Sequence, residues 1–66
     1  MSAALKANQM LRSQVMYLCT QRTGWAGNTH VETLLVDIRD NQEIGNRELA
    51  FAIEWLTLLP GKEDQP

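Results

Sequence analysis

A chain of 66 residues and 7.5 kDa with six basic and eight acidic side chains, one Cys and one His is one domain at most, because compact domains hold about 100–150 residues. A domain near this size buries only about 60% of its unfolded surface, which leaves no room for a cofactor subdomain with a separate substrate site. A single Cys excludes an intramolecular disulfide, and one Cys with one His cannot supply a three- or four-ligand N/S zinc site. The net charge of −2 divides unevenly: residues 1–30 carry Lys6, Arg12 and Arg22 and no acid, giving +3, whereas residues 31–66 carry eight acids against Arg39, Arg47 and Lys62, giving −5.

The spacing predicts a first helix over about 2–22, with Ser2 as its N-cap. Ala4, Ala7, Leu11, Val15 and Leu18 fall on one stripe, widened by Ala3, Met10 and Tyr17. Lys6, Gln9, Arg12, Ser13 and Thr20 take the other side. Thr23-Gly24 supplies a left-handed stop, and Trp25 in the loop that follows folds back as a lid on the core. Thr29-His30-Val31-Glu32 has the form of a capping box. Val31, Leu34, Leu35 and Ile38 then follow at i, i+3, i+4 and i+7, so a second helix is expected over about 30–40. Asn46 is positioned to cap a third helix over about 46–59, with Glu48 in its first turn and Pro60-Gly61 as its stop. Residues 61–66 read as a flexible polar tail outside a helical domain of residues 1–60. No segment alternates like a strand, and the expected fold class is all-α, a small three-helix bundle.

The third helix is apolar on two sides. Leu49, Ala52, Ile53, Leu56 and Leu59 form a core stripe, and Phe51, Trp55 and Leu58 form a second one beside it. Arg47, Ala50, Glu54 and Thr57 leave only a narrow polar arc. A helix apolar nearly all round is either central in a core or part of an interface. Phe51, Trp55 and Leu58 are therefore either covered by Trp25 and the first helix or exposed to a partner, a second copy included. The thinness of the core favours the covered arrangement, since each aromatic buries about 150–250 Å².

No enzyme constellation is visible. Cys19 and His30 could be imagined as a thiolate pair, but nothing places a base and an orienting group within reach; a packed thiol and a surface imidazole are expected. Asp37 and Asp40 read as a solvated face. Gly24 and Gly27 lack the Lys and Ser/Thr of a phosphate loop, so no cofactor and no metal are expected. The second and third helices have the sizes of a helix-turn-helix, yet the would-be recognition helix carries Arg47 against Glu48 and Glu54, which argues against direct contact with nucleic acid. No secretory pattern is seen in Met1 to Lys6, and the longest apolar run, Leu49 to Leu59, is too short to span a bilayer. The expectation is a cytoplasmic chain with a reduced Cys19 and no membrane contact.

Glu32, Asp37, Asp40, Glu43, Glu48 and Glu54 are concentrated on the second and third helices and their connection. They read either as a solvated surface or as carboxylates offered to a basic groove in place of nucleic acid. In size, single-domain make-up and acidity the chain resembles the anti-CRISPR proteins of phages and mobile elements. The stretch Asn46-Arg47-Glu48-Leu49-Ala50-Phe51-Ala52-Ile53 resembles the Arg-Glu-Leu-(small)-Leu-Ala-Ile helix start of a phage helical-hairpin domain tied to counter-defence by sequestering cyclic nucleotides. These resemblances imply a non-enzymatic inhibitor, a monomer or homodimer in a bacterial host. Its expected partner is a host complex with a basic surface, such as a CRISPR surveillance complex. The acids would give attraction, with Phe51, Trp55 and Leu58 as the apolar anchor. A small helix-turn-helix regulator and a structural subunit completed by oligomerisation are the alternatives.

Overall fold

The computed structural model describes residues 3–64. It places three α-helices, α1 (Ala3–Gln21), α2 (Thr29–Arg39) and α3 (Asn46–Thr57), ahead of a 3-10 turn at Lys62–Asp64. The fold is an all-α three-helix bundle in which α3 runs against α1 and α2 leans on the pair more lightly. The Ser2 cap, the side chain of Ala4 and the last two residues of the expected tail lie outside the described residues.

Each helix end has a local cause, and two of the caps differ from expectation. Asn28, not Thr29, caps α2: its Oδ1 accepts from the amides of His30 and Val31 at 3.1 and 3.2 Å, and Thr29 becomes the first helical residue. Asn holds the extended backbone there (φ −79°, ψ 100°) and is the stronger cap. At α3 the N-cap is Gly45, with no side-chain hydrogen bond. Asn46 does not cap, because its Oδ1 accepts from Asn8 Nδ2 at 2.6 Å instead. The chain leaves α1 through Gly24 at φ +90° and leaves α2 through Asn41 at φ +55°, the left-handed geometry that Gly and Asn adopt most readily. α3 stops at Thr57, two residues earlier than expected, with Leu58 as its C-cap. Beyond it Gly61 pairs with Arg22 across an isolated antiparallel bridge, and the Thr23 amide donates to the Pro60 carbonyl at 3.0 Å. The start of the expected tail is thus tied to the end of α1.

The core collects Val15, Leu18 and Cys19 from α1, Val31 and Leu34 from α2, Ile44 from the connection, and Leu49, Ala52 and Leu56 from α3. Leu11, Trp25, Leu35, Ile38, Ile53 and Leu59 pack partly buried against it. Trp25 folds back as expected, its Nε1–H donating to the Cys19 carbonyl at 3.0 Å. The stripe on α1 is narrower than the sequence suggests. Ala3, Met10 and Tyr17 are exposed, because one flank of the helix is all that α2 and α3 cover.

Arg12, expected on the solvent side, is instead buried. It lies one helical turn before Val15 and two before Cys19, on the same flank. Its Nε donates to Asn8 Oδ1 at 2.7 Å and its Nη2 to the Gln42 carbonyl at 2.6 Å, while Asn8 Nδ2 donates to the Ile44 carbonyl at 2.8 Å. Asn8 and Arg12 thereby fasten α1 to the connection that leads into α3. Hydrogen bonds to a charged group contribute about 1.5–3 kcal/mol each.

Candidate protein-binding surface

The second apolar stripe of α3 faces solvent. Phe51 is 73% exposed, Leu58 80% and Trp55 37%, so the covered arrangement that the thin core favours is not the one adopted. The reason is geometric. At ~100° per residue the Phe51–Trp55–Leu58 stripe lies about 125° from the one formed by Leu49, Ala52 and Leu56, and that buried stripe already meets α1. Trp25, the expected cover, is engaged with the Cys19 carbonyl.

Phe51 and Trp55 also wall a shallow groove of about 260 Å³ between α3 and the start of α2, closed by Asn28, His30, Val31 and Ala52. Sequence reading missed Asn28 and His30 as neighbours of the aromatic pair. The only available signal was that the cap of α2 must sit beside the helix that its first buried residue, Val31, packs against.

The acids do not gather into one cluster. Glu32, Asp40, Glu43, Glu48 and Glu54 are exposed and Asp37 is half-buried. Around α2, Glu32 and Asp37 point about 140° apart, and around α3, Glu48 and Glu54 about 120° apart. Glu48 and Glu54 therefore lie on opposite flanks of the apolar stripe, with Arg47 beside Glu54. Asp40 is engaged by its neighbour: Arg39 Nε meets Asp40 Oδ1 at 3.1 Å on an exposed surface. That hydrogen bond, and then the carboxylate's charge, hold the guanidinium pKa above its ordinary value. Glu43 stands apart, on the connection before α3.

Cys19 is buried, and burial raises its thiol pKa, the opposite of what a nucleophilic cysteine needs. Among the described residues no group of three His, Cys, Asp or Glu side chains is arranged to hold a metal ion, and no helix is long and apolar enough to cross a membrane. What the surface offers is an aromatic and aliphatic ridge with a carboxylate on either side. Comparison with family models, with curated proteins and with solved structures finds no match.

Proposed function

We propose that the chain is a non-enzymatic inhibitor that binds a basic, nucleic-acid-handling complex of a bacterial host, in the manner of an anti-CRISPR protein acting on a CRISPR surveillance complex. The observation that carries this reading is the outer face of α3, where Phe51, Trp55 and Leu58 stand exposed between Glu48 and Glu54. Large exposed apolar side chains rimmed by polar ones mark interaction sites, and buried aromatics dominate the binding energy of interfaces. The −5 balance of residues 31–66 selects a partner rich in Lys and Arg and raises the encounter rate. Such a partner surface is one that otherwise holds phosphates. The acids surround the ridge rather than form a compact patch, so the attraction is a field over the α2–α3 side more than a residue-by-residue copy of a phosphate backbone.

The test is titration of the purified chain against a CRISPR surveillance complex, followed by competition with target DNA. The combined F51A and L58A changes should weaken binding by more than tenfold through faster dissociation. The combined E48K and E54K changes should slow association and flatten its dependence on salt. Binding indifferent to both pairs, or absent, refutes the proposal. The same exposed ridge also suits a second copy of the chain, which a melting temperature rising with protein concentration would reveal. A helix-turn-helix reading needs basic side chains on the outer face of α3, where Arg47 stands among Glu48, Glu54 and the apolar ridge.

A further inference from the structure

Where α1, the 41–45 connection and the start of α3 meet, a groove of about 540 Å³ is lined by Asn8, Arg12, Gln42, Glu43, Gly45 and Asn46 among others. We propose that this groove binds a small oxyanion, the carboxylate or phosphate group of a ligand, with Arg12 and the N-terminus of α3 as its positive wall. The site is separate from the aromatic ridge and does not depend on the inhibitor reading.

Two independent observations meet there. First, Arg12 is only 9% exposed, and both of its bonded nitrogens face uncharged acceptors, the Asn8 side chain and the Gln42 carbonyl. Its third nitrogen, Nη1, is buried and without a partner, and no carboxylate among the described residues pairs with the guanidinium. A buried cation is ordinarily matched by an anion. Here the matching charge is missing at the wall of an open groove.

Second, α3 begins in the same groove without a side-chain cap. Gly45 has no side chain to offer, and Asn46 is turned toward Asn8. Gly45 and Asn46 both line the groove, and a Cβ placed on Gly45 would meet nothing within 4 Å, so the start of this 12-residue helix is not covered on that side. Unsatisfied amides and the positive end of the helix dipole favour an oxyanion. Nη1 itself is buried, so contact with an oxyanion requires the groove wall to move, and the exposed Gln42 and Glu43 are part of that wall. Glu43 opposes the anion electrostatically, so it limits affinity and provides the most informative substitution.

The full chain, labelled with ¹⁵N, is titrated with inorganic phosphate and separately with acetate, against chloride at matched ionic strength. Expected are saturable shifts of the Gly45 and Asn46 amides and of the Asn8 and Asn46 side-chain NH₂ groups. Glu43→Gln should tighten binding severalfold by removing the opposing charge. Arg12→Gln should weaken it about tenfold, the effect of one charge-assisted hydrogen bond. A preference for phosphate or for acetate identifies the tetrahedral or the planar ligand. Because Arg12→Gln also loosens the connection before α3, Glu43→Gln is the deciding variant. Shifts that are linear and equal in chloride overturn the proposal, as does unchanged affinity in Glu43→Gln. A Glu43→Gln chain that is less stable without any ligand also overturns it, since Glu43 would then be the missing counter-charge.

Discussion

Truncating Phe51 and truncating Leu56 should have very different effects on stability, although both are large apolar residues of α3. Leu56 is 0% exposed, so Leu56→Ala removes core contacts and leaves a cavity, at a cost of about 2–5 kcal/mol. A domain of this size has roughly 3–10 kcal/mol in total, at ~0.05–0.15 kcal/mol per residue. Phe51 is 73% exposed, leaving about a quarter of its surface, ~50 Å², to be lost from burial, or ~1.3 kcal/mol at 25 cal/mol per Å². The better helix propensity of Ala returns about 0.5 kcal/mol, so Phe51→Ala should cost under ~1 kcal/mol. Urea unfolding followed by far-UV circular dichroism measures both, with the m-value showing whether the transition stays two-state. In thermal unfolding each kcal/mol moves Tm by about 4–8 °C, so Leu56→Ala should fall by 10 °C or more and Phe51→Ala by a few degrees. A Phe51→Ala cost equal to that of Leu56→Ala would refute the exposed ridge. A cost that grows with protein concentration would show a second copy covering it.

Asn28→Ala should cost ~1 kcal/mol through loss of the α2 cap, and Thr29→Ala a few tenths at most; chemical denaturation of the two variants distinguishes a cap at Asn28 from one at Thr29. Gly24→Ala should destabilise by about 1 kcal/mol or more because φ is +90° there, although the nearest atom to an added Cβ is Leu59 Cδ2 at 4.0 Å; strain rather than crowding is the cause, and Gly24→Asn should be the milder change. The burial-raised pKa of Cys19 makes the protonated thiol a stabilising group. Its contribution is complete below the unfolded thiol's pKa, about 8.5, and is lost as pH rises toward the folded value. The stability of the native chain should therefore fall with alkaline pH more steeply than that of Cys19→Ala, and equal slopes in paired urea titrations would contradict the burial.

The helices were legible because their signals are local. Apolar spacing located α1, α2 and α3 to within two residues at each end, and Gly24 announced its left-handed turn. The misplaced caps show where local signals compete. Asn28 and Thr29 are adjacent and both able to cap, and only the backbone entering α2 decides between them. Asn46 was lost as a cap to Asn8, a residue 38 positions away, which no window along the chain can register. Arg12 is a different failure. Its charge suggested solvent, but its position one turn before Val15 and one turn after Asn8 placed it on the buried flank. Weighing that position above residue type would have found it.

The candidate surface was half legible for a physical reason that concerns α3 alone. Apolar spacing marks Leu49, Ala52 and Leu56 as the core stripe and leaves open whether the second stripe, about 125° round the helix, is covered as well. α1 supplies one apolar flank, and the stripe with the smaller and more regular side chains, Leu49, Ala52 and Leu56, lets two helices approach closely. Phe51 and Trp55 are too bulky for that seam and are left outside. The consequence is a separation of roles on one helix: changes at Leu49 or Leu56 act on folding, and changes at Phe51 or Leu58 act on whatever the ridge contacts. A binding assay using variants of the outer stripe therefore reads binding with folding held nearly constant, which is the condition under which a loss of binding can be assigned to the surface itself.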